Sequence, residues 1–131
     1  MIHYISKKII KKTGKNMLKF ACINISSKNP KALAEFYRKI GAAVFVDGEN
    51  YDGFNFGNDE NQSGICVWDE NIWGKSTAGY ITIVFKTNNL QQTRNSIIAN
   101  GIELPPIQTA DWGGQQLVFN DPDGNIITVL T

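Results

Sequence analysis

Histidine is almost missing from this chain. The single one, His3, stands in the first few residues, and the two cysteines, Cys22 and Cys66, share neither a C-x-x-C spacing nor a neighbouring histidine. Zinc-finger ligand spacing is thereby excluded, and a Ser-His or Cys-His nucleophile pair would need the first residues folded into the body of the protein. Both cysteines sit in strand-like runs and read as buried thiols in a reducing compartment, so no disulfide is expected. Long apolar runs are lacking too. Nothing approaches the roughly 20 residues of a membrane span, and lysines stand where a signal peptide keeps its apolar stretch. The expectation is a cytoplasmic protein with no membrane partner. No glycine-rich phosphate loop is present, because Trp112-Gly113-Gly114 is followed by neither a helix nor a lysine. Asp121, Asp123 and Asn125 alternate as in a calcium loop, yet Ile126 stands where that loop requires glycine, and its twelfth position falls beyond Thr131.

The formal charge of +1 hides an asymmetry. Residues 1–16 carry Lys7, Lys8, Lys11, Lys12 and Lys15 and no acid, leaving eight bases against twelve acids in the remainder. That acidic balance, with no stripe of bases and aromatics, argues against a nucleic-acid partner. Ile2, Tyr4, Ile5, Ile9 and Ile10 accompany the lysines, and two readings of the tail stand open. It is a short basic amphipathic helix touching a membrane surface or nucleic acid, or a frayed or dimer-exchanged extension of a domain that begins at Met17. With 131 residues, 42% hydrophobic and 19% charged, the chain suits one domain burying roughly two-thirds of its surface. The organisation expected is a basic tail over 1–16 and a single domain over 17–131.

Residues 19–25 alternate as a strand, with Phe20, Cys22 and Asn24 on one face and Ala21, Ile23 and Ile25 on the other. Asn29-Pro30 opens a helix, Leu33, Phe36, Tyr37 and Ile40 line one side of it, and Gly41 stops it. Strand-like runs follow near 42–46, 51–56 and 64–68, then a loop over 69–78. From Gly79 the same order returns: a strand over 80–86, a helix over 89–100 stopped by Gly101, a short strand over 102–104, and a terminal hairpin closed by Asp121-Pro122-Asp123-Gly124-Asn125. Gly41 and Gly101 stand 60 residues apart, and that offset also superposes Asn29 on Asn89, Ile25 on Phe85 and Tyr37 on Ile97. The chain is an internal repeat. Its fold class is α+β: two β-α-β-β-β modules, about 17–70 and 79–131, whose curved sheets enclose a shared cleft.

The helix segment Lys31-Ala-Leu-Ala-Glu-Phe-Tyr37 ending at a glycine, a Trp-Gly-Gly, and then Phe119-x-Asp-Pro-Asp-Gly-Asn125 before an apolar strand resemble the vicinal-oxygen-chelate superfamily, which includes glyoxalases, bleomycin-resistance proteins and extradiol dioxygenases. The resemblance spans about residues 18–130. It implies a divalent metal held by a His or similar near the start of each module's first strand and a Glu in each last strand. Those positions fall here at Cys22, Thr82, Cys66 or Val67, and Thr128, none of them His, Asp or Glu. A thiol beside hydroxyls is a poor set for Zn, Mn, Fe or Ni, so no metal or other cofactor is expected. What remains is an apolar cleft with a few polar tips, lined by Phe20, Cys22, Asn24, Tyr80, Thr82, Val84, Thr128 and Leu130, with Trp68, Trp73 and Trp112 placed to stack on a flat ligand. Asp69, Glu70 and Asp111 stand beside them. The resulting expectation is a metal-free protein of the bleomycin-resistance type that binds an aromatic or cationic small molecule, with a homodimer implied by the resemblance. The alternative is a glyoxalase-related lyase, isomerase or dioxygenase with a non-standard metal site drawn from Asp52, Asp59, Glu60, Asp69 or Glu70.

Overall fold

A computed structural model of the chain describes residues 22–46, 53–58, 63–73 and 76–131. Its elements run β1 (Ile23–Ser27), α1 (Pro30–Lys39), β2 (Ala43–Val46), β3 (Gly53–Gly57), β4 (Ser63–Asp69), α2 (Glu70–Trp73), β5 (Thr82–Lys86), α3 (Leu90–Ala99), β6 (Gln108–Thr109), β7 (Gln115–Asn120) and β8 (Ile126–Leu130). The strands form two four-stranded sheets, ordered β1-β4-β3-β2 and β5-β8-β7-β6. In each, the first strand runs parallel to the last while the others pair antiparallel. The expected repeat of β-α-β-β-β is the observed architecture. Phe20, the tail over 1–16, Asp52, Asp59 and Glu60 lie outside the described residues, as does the side chain of Trp73.

The repeat is visible down to its hydrogen bonds. Asn29 Oδ1 accepts from the Ala32 N–H at 3.1 Å and Asn89 Oδ1 from the Gln92 N–H at 2.9 Å, each satisfying a donor that the first helical turn leaves without an intrahelical partner. Both helices also end alike. Gly41 and Gly101 adopt φ of 100° and 91°, and the next N–H reaches back over the turn, Ala42 to the Tyr37 carbonyl at 3.0 Å and Ile102 to the Ile97 carbonyl at 3.4 Å. Only glycine takes that left-handed geometry without strain, which is why it ends both helices.

Strand alternation sorts the side chains onto two faces. Ile25, Phe54, Phe56 and Val67 share one face of the first sheet with Leu33, Ala34 and Tyr37 of α1; Ile83, Leu117, Phe119, Ile127 and Val129 share one face of the second with Leu90 and Ile97 of α3. These two helix-bearing faces meet in one core. The Tyr37 ring stacks on Phe56 at 4.4 Å, Phe56 lies 6.3 Å from Phe85, and Phe36 lies 6.3 Å from Phe119. The opposite faces therefore turn away from the core, which leaves Asn24, Trp68, Thr82, Val84 and Ile126 exposed.

A polar clamp also joins the modules. Asp121, only 5% exposed, accepts from the Tyr37 hydroxyl at 2.7 Å, from the Asp123 and Asn125 N–H groups at 2.9 Å each, and from Asn125 Nδ2 at 2.9 Å. Four donors make a buried carboxylate tolerable. Asn125 Oδ1 in turn accepts from the Gly79 N–H at 3.1 Å, so the linker between modules is tied to the same turn. The Asp-Pro-Asp-Gly-Asn segment, which the sequence presents only as a tight turn, is thus the polar part of the module junction.

Two local expectations are corrected. Residues 102–104 form no strand; the short strand of that module is β6, further along, paired with β7. The Leu104 and Pro105 carbonyls are taken instead by Arg94, at 3.2 and 2.9 Å, while Pro105 and Pro106 have no N–H to give a ladder. The loop over 69–78 contains the helical turn α2, opened by Asp69, whose Oδ1 accepts from the Asn71 N–H at 2.9 Å.

Candidate functional site

The faces turned away from the core carry most of the residues that the sequence singles out. On the first sheet Asn24 pairs with Cys66 and Ser26 with Trp68, while Val67 beside them is fully buried on the helix side. Of the two positions left open in β4, Cys66 therefore holds the outward place. Cys22 lies on the same side, because its Sγ donates to Asn24 Oδ1 at 3.5 Å. Both thiols are half-buried rather than buried as the sequence suggests, since the core occupies the other face.

On the second sheet Thr82 pairs with Ile126, and Thr128 stands between Val84 and Val118. Thr128 is half-buried and Leu130, on the same phase, is buried at 7%. Tyr80 precedes β5 and is 88% exposed. It lines, together with Thr82 and Val84, a groove of about 790 Å³ between the open edge of β5 and Ile23 and Ile65 of the first sheet. The alternation in β7 also puts Val118 and Asn120 on this face, beside Thr128 and Ile126. Neither stands among the residues expected from the sequence to line the cleft, although the period-two pattern of residues 115–120 identifies both.

Trp112 stands apart from Tyr80. It belongs to the connection between β6 and β7, at the strand end near Gln116 and Leu130, whereas Tyr80 lies at the opposite strand end and three strands away. Its ring lies across Gly114, where a Cβ would come within 1.9 Å of the ring. That packing half-buries Trp112 and gives Gly114 its reason. Within one chain, then, Cys22, Asn24 and Trp68 gather on one outward face and Tyr80, Thr82 and Thr128 on another. The two sets belong to different sheets.

The acids near these faces have local employment. Asp69 caps α2 as above. Asp123 Oδ2 and Glu70 Oε2 are shielded from solvent without a hydrogen-bond partner among the described residues, and burial, together with the charges of Asp121 and Glu70, pushes the Asp123 carboxyl up against the opposing pull of the Ser27 hydroxyl. Burial, with the neighbouring Asp121, likewise holds the Tyr37 phenol above its usual range. Among the described residues no three His, Cys, Asp or Glu side chains come together as metal ligands, and no helix is long and apolar enough to cross a membrane.

By sequence, no family model and no curated protein matches this chain. By structure many do. The bleomycin resistance determinant encoded on transposon Tn5 superposes with a TM-score of 0.64 at 16% identity, over 87% of this chain and 98% of that one. A bleomycin-binding protein complexed with bleomycin gives 0.63 at 16% identity over the same shares. A glyoxalase/bleomycin resistance protein/dioxygenase from Nocardioides gives 0.67 at 14% identity, over 89% and 85%, and a lactoylglutathione lyase from Agrobacterium tumefaciens gives 0.64 at 16%, over 82% and 88%. The paired β-α-β-β-β units, their strand order and these superpositions together give the chain the glyoxalase/bleomycin-resistance fold.

Proposed function

We propose that the chain is a small-molecule-binding protein that works without a divalent metal and takes an aromatic or cationic ligand in a cleft completed by a second copy. One observation carries this reading: the two outward sheet faces present apolar and aromatic surface with polar tips, and one core turns them away from each other. Tyr80, Val84, Ile126 and Trp68 are all exposed there, next to Asn24 and Thr82. A sheet face of that character is covered by a partner or a ligand more often than left to water. A symmetric pair of chains lays the first-sheet face of one against the second-sheet face of the other, which brings Asn24 and Trp68 together with Tyr80 and Thr82. The solved bleomycin-binding protein of the same fold supports a planar, cationic ligand class. The donor set supports metal independence: Cys22, Cys66, Thr82 and Thr128 offer neither imidazole nor carboxylate to a hard ion.

The test combines light scattering with a fluorescence titration, using bleomycin as the probe. A dimer is expected, with quenching of tryptophan emission and a rise in melting temperature on binding. Trp68→Ala should weaken binding about three- to tenfold, the equivalent of one stacking contact, and Tyr80→Ala should do so without loss of stability because its side chain is solvated. A chain that stays monomeric and leaves its emission unchanged at millimolar probe would end this reading.

A further inference from the structure

The two helices of the repeat agree in their caps and stops but not in what they carry between them. The offset of 60 residues sets Ala32, Leu33, Phe36 and Tyr37 of α1 against Gln92, Thr93, Ser96 and Ile97 of α3. Leu33 and Tyr37 are fully buried and Phe36 packs beside them. Of the α3 set only Ile97 is buried, and the other three are uncharged polar residues. At the same place the protein holds a cavity of about 510 Å³, lined by Gln92, Thr93 and Ser96, by Ile40 and Ala42 from the end of α1, and by the buried Ile97 and Val129. None of Asn24, Trp68, Tyr80, Thr82 or Thr128 lines it, so it is separate from the outward sheet faces.

The lining then selects the ligand. The side chains of Asn88, Gln92 and Ser96 make no hydrogen bond among the described residues. The Thr87 and Thr93 hydroxyls lie 2.6 Å apart, and whichever donates, the other keeps its own hydrogen. The Gln92 and Thr93 N–H groups are already held by Asn89, through Oδ1 and the carbonyl, so these residues have only side chains to offer. Hydroxyls and amides both give and accept hydrogen bonds, which is the complement of a ligand hydroxyl. No Asp or Glu lines the cavity, so a cation finds no counter-charge there; Lys86, exposed at the end of β5, is the one charged lining residue. The aliphatic carbons of Ile40, Ala42, Ile97 and Val129 suit the C–H faces of a saturated ring. We propose that this cavity binds an uncharged, polyhydroxylated small molecule of about disaccharide size, with Gln92, Thr93 and Ser96 setting specificity. Its volume falls within the roughly 300–1,000 Å³ of small-ligand sites. The inference rests on the break in the repeat and stands or falls separately from the ligand of the sheet faces.

The experiment follows backbone amide resonances of the isotope-labelled full chain during titration with maltose, sucrose and trehalose, and separately with octanoate and octylammonium as charged amphiphiles. At least one disaccharide should give saturable shifts in the millimolar range at residues 86–97 and 40–42, with Asn24, Thr82 and Thr128 unmoved. Bleomycin should not compete with it. Gln92→Ala should weaken binding about two- to tenfold, the equivalent of one hydrogen bond. Ser96→Phe, which gives α3 the residue that α1 has at the matching position, should abolish binding by filling the space. The wild-type map of shifts requires no variant to fold. Absence of saturable shifts with all three sugars at tens of millimolar, tighter binding of octanoate or octylammonium than of any sugar, shifts centred on Asn24, Thr82 and Thr128, or wild-type affinity in a folded Ser96→Phe chain each overturns the proposal.

Discussion

Tyr37→Phe removes one oxygen and, with it, the hydrogen bond that spans the two modules. The tyrosine is fully buried and its hydroxyl donates to Asp121 at 2.7 Å. The substitution keeps the ring, so the stacking on Phe56 at 4.4 Å survives, and the change isolates the polar contact. Asp121 retains three donors, all from its own turn. A hydrogen bond to a charged group contributes about 1.5–3 kcal/mol, and the buried carboxylate left with an empty position keeps the loss in that range. For a chain of this length the unfolding entropy converts each kcal/mol into about 3–4 °C, so the melting temperature should fall by roughly 5–11 °C. Urea denaturation followed by circular dichroism gives the free energy directly, with an unchanged slope expected. The phenol adds a pH signature. Its folded pKa is raised, so its contribution is complete below the ordinary tyrosine range and is lost as the unfolded chain begins to ionise near pH 10; the variant should lack that alkaline decline. A double-mutant cycle with Asp121→Asn should return a coupling of at least 1 kcal/mol. Additive effects of the two substitutions, or a loss below about 0.5 kcal/mol for Tyr37→Phe, would refute the claim that this contact holds the modules together.

Two further expectations concern the same half of the molecule. Because burial and the charges of Asp121 and Glu70 raise the Asp123 carboxyl, its charged form is disfavoured in the fold; stability should rise as pH falls from neutrality into the carboxylate range, and Asp123→Asn should be more stable than wild type at pH 7 with that rise flattened, as read from melting temperature against pH. Gly114→Ala should push the Trp112 ring off its seat, where a Cβ would sit 1.9 Å from the ring; a shift of emission maximum with a loss of about 1 kcal/mol is expected, and unchanged emission would show that the ring lies elsewhere.

Much of the architecture was legible in the sequence because it rests on local chemistry. Asn29 and Asn89 cap helices, and Gly41 and Gly101 end them, through backbone requirements that only a few residue types meet. Their equal spacing was enough to expose the repeat. The alternation of β1 and β5 also assigned Cys22, Asn24, Thr82 and Val84 to one kind of face from the period of the strand alone. Less was legible where the backbone's partner is distant in sequence. Residues 102–104 alternate as a strand does, but Arg94 took two carbonyls of that region and β6 formed further on, against β7.

The largest decision belonged to tertiary structure alone. Local pattern fixes which side chains share a face, since that depends only on strand periodicity. It says nothing about which faces of two separate sheets will meet. That was settled by long-range contacts: the Tyr37 ring against Phe56 and near Phe85, Phe36 beside Phe119, and the Tyr37 hydroxyl on Asp121 of the last turn. Those contacts draw the helix-bearing faces into one core and leave the thiols, Thr82 and Tyr80 looking outward. The reason is physical: burial of apolar area is non-directional, so sequence can mark a surface for burial while only the assembled chain decides what buries it.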